Sequence, residues 1–108
     1  MYRPMMTGFA VLAVGAALLG GCKKAPDLAK GEALFKQHCA VCHPDGGNTI
    51  TPQKTLHAKA LAANNITKPE DIVKTMRNPG PGMNKFDQAT IPDEDATAIA
   101  EYVVHTYK

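Results

Sequence analysis

The pattern of apolar and polar positions separates a uniformly apolar beginning from a longer part in which apolar residues recur at helical spacing. Residues 8–19 are uncharged and mostly apolar, a run shorter than the roughly 20 residues that a membrane-spanning helix needs. One charged residue, Arg3, precedes this run, and small residues follow it. That arrangement is typical of a secretory leader. The sequence therefore predicts that residues 1–21 are removed on export.

The first two helices predicted after the leader lie on either side of a long loop. The first begins after Asp27, a favourable N-cap residue, and reaches about Cys39. The residues that share its inward side are Leu28, Gly31, Leu34 and Phe35. Residues 44–53 are rich in turn formers and are predicted to be loop, and a short helix follows over residues 54–63, ending at Asn64 and Asn65.

Two capping patterns predict the third and fourth helices. In residues 67–70 and again in residues 90–93, a threonine at the first position is spaced to cap the following turn, with an acidic residue three positions later that reaches back. The third helix directs Ile72, Val73 and Met76 inward. The apolar face of the last helix consists of Ala96, Ile99, Ala100, Val103 and Tyr107. Since no run alternates like a strand, the predicted fold class is all-α.

Length and charge restrict what the exported part does. Of the 12 Lys and Arg residues only Arg3 lies in the leader, so 11 remain against 10 Asp and Glu. This near-neutral balance offers no basic surface for nucleic acid. The remaining 87 residues of the 108 contain no Trp and form one small domain with a thin apolar core. Domains of this size usually depend on disulfides, a metal or a cofactor for stability.

The cysteines of residues 39–43, Cys-Ala-Val-Cys-His, indicate which of these the chain uses. Two cysteines two residues apart and followed at once by histidine form the attachment sequence for c-type haem. The thiols of Cys39 and Cys42 add across the haem vinyl groups, and His43 becomes an axial ligand of the iron. A thioredoxin-like dithiol needs a strand and helix setting that is absent from the pattern, and a zinc site needs a fourth ligand at a suitable spacing. We therefore predict one covalent haem c.

The second axial ligand is predicted to be Met83. It follows residues 78–82, Asn-Pro-Gly-Pro-Gly, in which prolines stiffen the backbone and glycines allow close approach to a flat ring. Met76 is the other methionine outside the leader, and its place on the apolar side of a helix favours a core role. His57 is the candidate for a bis-histidine site, although its surroundings are typical of a solvated helix face. His38 and His105 are expected at the surface or at an edge of the site.

Cys22 is predicted to carry a lipid. Residues 19–22, Leu-Gly-Gly-Cys, resemble the bacterial lipobox, in which small residues precede the cysteine that is lipidated before cleavage. The expected organisation is a signal peptide over residues 1–21, a lipidated tether over residues 22–26 and a folded domain over residues 27–108. An uncleaved anchor is the alternative. Since Lys23 stands where inner-membrane retention in enteric bacteria uses aspartate, the periplasmic side of the outer membrane is the expected location.

Taken together, these residues resemble class I cytochrome c, in particular the c-six type of algae and cyanobacteria. The resemblance runs from residues 31–35 through the haem motif and residues 46–48 and 54–56 to residues 93–95 and 100–103. With its lipobox, the chain is also similar to the monohaem outer-membrane lipoprotein cytochromes of metal-reducing bacteria. The resemblance implies a fold of about four helices around one haem, with the first and last helices crossing.

The resemblance also implies residue roles. His43 and Met83 are the implied axial ligands, and Asn48 and Lys54 are implied to lie near the haem propionates. At the helix crossing, the implied contacts join Gly31 and Phe35 to Ile99 and Tyr102. The chain departs from the family in residues 83–86, Met-Asn-Lys-Phe instead of Met-Pro-Ala-Phe, and in Met76, which replaces a glutamine often found near the haem edge.

The function that follows is electron transfer. With imidazole and thioether in both axial positions, the iron has no open site for substrate, and a thioether favours the ferrous state. We therefore expect a monomeric, membrane-tethered electron carrier that exchanges electrons with other redox proteins and is not an enzyme. The alternative is a haem sensor or small haem enzyme in which the sixth ligand is displaced.

Overall fold

The computed structural model describes residues 25–108. The predicted signal peptide, the lipidation site Cys22 and most of the tether lie outside the described residues. Within residues 25–108 there are four α-helices and no strand: α1 Leu28–His38, α2 Ala58–Ala63, α3 Pro69–Arg77 and α4 Asp93–Thr106. A single 3-10 turn, Pro44–Gly46, lies between α1 and α2. The all-α prediction is confirmed. None of these helices has the length and apolar character needed to cross a membrane.

Helices α1 and α4 pack directly on each other, as predicted. Gly31 lies so close to α4 that a Cβ atom placed on it would collide with the carbonyl oxygen of Ala98 and would lie 2.7 Å from Cβ of Tyr102. One turn later in α1, the rings of Phe35 and Tyr102 are 5.4 Å apart. Only a residue without a side chain allows this approach, so Gly31 determines where the helices cross.

The core lies where α1 and α3 pack against α4. Its buried apolar residues are Phe35, Leu61, Ile72, Met76, Ile91, Ala96, Ile99, Ala100 and Val103. The prediction that Leu28 lies on the inward side is wrong, since this side chain is 39% exposed. It occupies the first position of α1, before the helix reaches the surface of α4.

Helix α2 begins later than predicted, at Ala58 instead of Lys54. The N–H of Lys54 donates to the carbonyl of Thr51 at 2.9 Å in a turn, and the N–H of Leu56 donates to the carbonyl of Gly46 at 2.7 Å. The first bond closes a local turn and the second ties the segment to the 3-10 turn, so its backbone does not form a helical ladder. Asn64 ends the helix as predicted.

The capping predictions for α3 and α4 are wrong in detail. Because Pro69 is the first residue of α3, the N-cap is Lys68, and Asp71 instead of Glu70 reaches back to the N–H of Thr67 at 3.1 Å. In α4 the N-cap is Pro92, which has no capping side chain, while the acidic first turn 93–95 favours the positive end of the helix dipole. The N–H of Thr90 instead donates to the carboxylate of Asp87.

Candidate functional site

The haem motif forms a tight turn at the end of α1. Cys39 is the C-cap of α1, and its N–H donates to the carbonyl of Phe35. The N–H groups of Cys42 and His43 donate to the carbonyl of Cys39 at 3.1 and 2.9 Å. Both cysteines are half-buried and carry free thiols. Val41, between them, is 83% exposed. The turn therefore directs Cys39, Cys42 and His43 inward and leaves Val41 at the surface.

His43 is held in a defined orientation. Its ring is buried, and Nδ1 lies 2.7 Å from the carbonyl oxygen of Gly47. Since a carbonyl only accepts, the proton is on Nδ1 and the lone pair of Nε2 is free to bind a metal. A histidine ligand is usually oriented in this way by a hydrogen bond from its other nitrogen. The backbone of the 44–47 turn is thus part of the site.

One apolar cavity of about 400 Å³ collects the predicted site residues. Cys39, Cys42, His43 and Met83 line it, together with Asn48 and Lys54. Its apolar wall includes Phe35, Leu56, Leu61, Ile66, Ile72, Met76, Phe86, Ile99 and Val103. Ligand sites of roughly 300–1,000 Å³ with mostly apolar walls and a few polar groups are the usual form of a cofactor pocket.

The other three histidines lie at the surface or at the edge of the cavity, as expected from the sequence. His38 lines the cavity and is half-buried, with its ring edge-on to Phe86 at 6.2 Å. His57 and His105 do not line it. The His57 ring contacts Tyr107 at 5.5 Å, and His105 Nδ1 lies 2.9 Å from the carbonyl of Glu101 in its own helix. His38 is therefore part of the site boundary, while the other two lie outside it.

Both methionines of the domain line the cavity, in different settings. Met76 is 4% exposed and belongs to α3 within the core. Met83 is half-buried in the loop between α3 and α4 and packs against the core from outside. Met76 therefore has its position set by a helix, whereas the position of Met83 is set by the loop.

Asn48 organises the loop beside the cavity. Its Nδ2 donates to the carbonyl of Lys54 at 2.9 Å, and its Oδ1 accepts from the N–H groups of Ile50 and Thr51 at 3.0 and 2.7 Å. Three hydrogen bonds from one amide fix residues 48–54 as a closed loop. Lys54 is exposed at the end of this loop.

The thiol of Cys39 is unsuited to dithiol redox chemistry. Burial, together with the nearby Cys42, raises its pKa to about 11. The thiolate is the reactive species in thiol exchange, and catalytic dithiols have lowered pKa values. The environment therefore argues against the dithiol interpretation.

Two residues of the site region were not found from the sequence. The ring of Tyr107 packs on Phe35, Tyr102 and His57, and also covers Gly46, where a Cβ atom would lie 2.5 Å from Cδ1 of that ring. Nη1 of Arg77 donates a hydrogen bond to the carbonyl of Phe86, in the loop that carries Met83. Helical periodicity places Tyr107 on the apolar face of the last helix without indicating its contact with Gly46, and no local pattern marks Arg77.

The residues present fit a covalently bound haem. Two thiols at the attachment spacing, an imidazole with its Nε2 free and a thioether line one apolar cavity. These are the attachment and axial donors of c-type haem. Among the described residues, no fully buried side-chain polar atom lacks a hydrogen-bond partner.

Comparisons with known proteins agree with this chemistry. A family model described as cytochrome c oxidase, cbb3-type, subunit III matches residues 26–103. Cytochrome c6 of Cyanidioschyzon merolae is 42% identical over 80 residues, covering 74% of this chain and 75% of that protein. The solved structure of the outer-membrane cytochrome OmcF from Geobacter sulfurreducens is 50% identical with a TM-score of 0.71, covering 72% of this chain and 99% of that chain.

Cytochrome c6C from Synechococcus sp. PCC 7002 has the same fold, with 29% identity and a TM-score of 0.67 over 72% of this chain and 94% of that chain. Sequence and fold thus agree over nearly all of the described residues, and the haem motif lies within the matched part. This chain belongs to the class I c-type cytochromes, and it is a haem c electron-transfer protein, not an enzyme.

Proposed function

We propose that this cytochrome is a membrane-tethered electron carrier whose haem iron is bound by His43 and Met83. The observation that carries the proposal is that both side chains line one apolar cavity, with Nδ1 of His43 already bonded to Gly47. When bound, haem c supplies one-electron redox chemistry. The residues of the chain hold it, exclude water and set its potential, and a thioether ligand opposite imidazole raises that potential.

The surroundings of the alternative ligands support Met83. His57 is exposed, contacts Tyr107 and is not part of the cavity wall. Met76 is packed in the core by its position in α3. Met83 belongs to a loop that lies over the cavity, so it has room to present its sulfur without disturbing a helix.

Exposed apolar side chains border the cavity and suit a redox partner. Val41 is 83% exposed and lies within the haem motif, and Ile50 is 58% exposed and lines the cavity. Ile50 and the exposed Pro81, which also lines the cavity, provide an apolar surface beside the cofactor site. Contact at this surface would bring another redox protein close to the haem edge.

The tether and the location belong to the same proposal. The lipobox-like residues 19–22 would place a lipid on Cys22, six residues before α1 begins at Leu28. Residues 25–27 are exposed and not helical, which suits a short connection to a membrane surface. We propose a signal peptide over residues 1–21, a tether over residues 22–26 and anchoring on the periplasmic side of the outer membrane.

Two further assignments complete the proposal. Asn48 and Lys54 lie at the cavity wall, and we assign them to the side of the haem that carries the propionates. The protein is proposed to act as a monomer with other periplasmic or outer-membrane redox proteins.

Met83→Ala tests the ligand assignment. Haem should remain attached, because Cys39 and Cys42 are unchanged, but one axial position opens. We expect loss of the ferric methionine–iron charge-transfer band, a lower potential and ready binding of carbon monoxide to the ferrous protein. Met76→Leu is the control, since it conserves volume and should keep the band at a cost of less than about 1.5 kcal/mol.

A band that survives in Met83→Ala and disappears in Met76→Leu would reverse the assignment. If the parent protein lacks the band, His/Met ligation is wrong.

Cys22→Ser tests the anchor. The variant should lose the mass of the lipid and leave the membrane fraction while keeping its haem, because Cys39 and Cys42 are unchanged. Mass spectrometry and fractionation measure both effects. A variant that stays in the membrane fraction with an unchanged lipid mass would contradict the proposal.

A further inference from the structure

Arg77, the last residue of α3, joins three segments of the chain. Its Nη1 donates to the carbonyl oxygens of Phe86 at 3.2 Å and Ile91 at 2.8 Å. Its Nη2 donates to Oδ1 of Asp93 at 2.7 Å. The side chain is only 21% exposed. Hydrogen bonds from a charged donor are stronger than neutral ones, and the planar guanidinium holds several acceptors at once.

The segment between Arg77 and Phe86 is an arch closed at its base. The N–H of Phe86 donates to the carbonyl of Met76 at 2.9 Å, and the carbonyl of Phe86 accepts from Arg77. Among the bonds of the described chain, none involves residues 79–85. The conformation of the arch therefore depends on the two prolines within it and on the bonds at its base.

Met83 lies inside this arch, three residues before Phe86, and lines the cavity. The neighbouring Gly82 has a φ of +91°, and a Cβ atom placed on it would lie 3.3 Å from Cγ2 of Ile50. The top of the arch thus lies close to the opposite loop, while its base is held by Arg77. A shift at the base would move the sulfur of Met83 relative to His43.

We propose that Arg77 is a positioning residue for Met83, holding the base of the arch so that the thioether stays on the iron. This inference rests on the proposed ligation by Met83. An anchored loop loses less conformational entropy when its ligand binds than a free one does. Removing the anchor should therefore let an external ligand replace Met83 more readily.

The test measures the affinity of the ferric, haem-loaded protein for imidazole, which binds where Met83 has left the iron. For Arg77→Gln we expect roughly tenfold tighter imidazole binding than in the parent, equivalent to about 1.4 kcal/mol. Arg77→Lys should give a smaller increase in imidazole affinity, since an ammonium group keeps the positive charge but lacks the planar, forked N–H donors of the guanidinium group. Lys74→Gln is the matched control: it removes the same charge from the same helix, and its side chain makes no ion pair within residues 25–108.

Amide hydrogen exchange of Phe86 gives a second readout that does not involve the iron. Arg77→Gln should accelerate this exchange and leave that of α1 unchanged. If Arg77 has only a structural role, the Arg77→Gln protein should have a lower free energy of unfolding but the same imidazole affinity as the parent. This result would overturn the proposal. Parent-like exchange at Phe86 would also overturn it.

The two proposals fail in different ways. Absence of the methionine–iron band in the parent refutes ligation by Met83, whatever the Arg77 variants show. If the parent has the band but the Arg77 variants bind imidazole with unchanged affinity, only the positioning role of Arg77 is refuted. If Arg77→Gln does not accumulate with haem, Arg77→Lys decides the question by the same two measurements.

Discussion

The orientation of His43 depends on one glycine and one ring that covers it. Gly46 has a φ of +77°, in the left-handed region, and the ring of Tyr107 packs directly on its Cα. The next residue, Gly47, supplies the carbonyl that accepts from His43 Nδ1. Burial and the hydroxyl of Tyr102 raise the pKa of Tyr107 to about 12. Tyr107, the C-cap of α4, therefore supports the turn that orients His43, the proposed proximal ligand.

Gly46→Ala should destabilise the protein by about 2 kcal/mol or more, because it combines a strained φ with overpacking against Tyr107. A denaturant titration measures this loss. Gly80→Ala is the control, since no atom lies within 4 Å of a Cβ placed there and its φ is not in the left-handed region. Equal stability of the two variants would mean that Tyr107 does not press on this turn.

At the level of the helices, the contact between α1 and α4 depends on the absence of a side chain at residue 31. Gly31→Val would place a branched side chain against Ala98 and Tyr102. Such overpacking typically costs about 1 to 3 kcal/mol. Ala33→Val, on the exposed side of α1, is the control for helix propensity. A Gly31→Val protein that unfolds at the same denaturant concentration as the Ala33→Val protein would contradict the observed crossing.

The start of α3 makes stability depend on pH. The N–H of Thr67 donates to the carboxylate of Asp71, and this hydrogen bond lowers the pKa of Asp71 below its usual value of 3.8. A carboxyl group whose pKa is lowered by folding stabilises the protein above its unfolded pKa, and this stabilisation is lost as pH falls through the folded pKa. Asp71→Asn should therefore reduce the fall in Tm between about pH 7 and about pH 3.

Glu70→Gln is the control for this prediction. Its side chain makes no hydrogen bond or ion pair within the described part of the chain, so the pH dependence of Tm should stay that of the parent. If Glu70→Gln changes the pH dependence of Tm more than Asp71→Asn does, Glu70 is the capping residue, as expected from the sequence. Thermal unfolding followed by circular dichroism at several pH values distinguishes the two.

The described domain is organised around a cavity whose wall is formed largely by the residues of its apolar core. Side chains from α1, α2, α3 and α4 all contribute to its wall. A domain of this size has little other apolar area to bury, so the bound haem supplies the centre that the side chains surround. Stability and function therefore depend on the same group.

Replacing both attachment cysteines, Cys39→Ser with Cys42→Ser, should remove the covalent haem and with it the cooperative thermal transition, because the cavity walls lose their contacts. Circular dichroism measures the transition, and acid–acetone extraction shows whether haem stays with the denatured polypeptide, as it should in the parent. Cys22→Ser, which leaves the haem motif intact, is the control. A cooperative, parent-like transition in the double variant would show that the haem is not the stabilising centre.

The sequence by itself determined the features that depend on neighbouring residues. Helical periodicity and the Asp27 cap located α1, the spacing of Cys39, Cys42 and His43 predicted covalent haem, and two prolines marked the loop before Met83. Asp27 accepts from the N–H of Lys30 at 3.0 Å, as a local cap should. Each of these depends on residues within a few positions, and so can be recognised from the chain order alone.

The tertiary structure decided what depends on distant residues. The bonds of Arg77 reach acceptors 9, 14 and 16 positions away, and the ring over Gly46 comes from Tyr107 at the other end of the domain. The late start of α2 follows from the bond of Leu56 to Gly46. No local spacing encodes these contacts, because they exist only when the packing of α4 on α1 has brought the loops together.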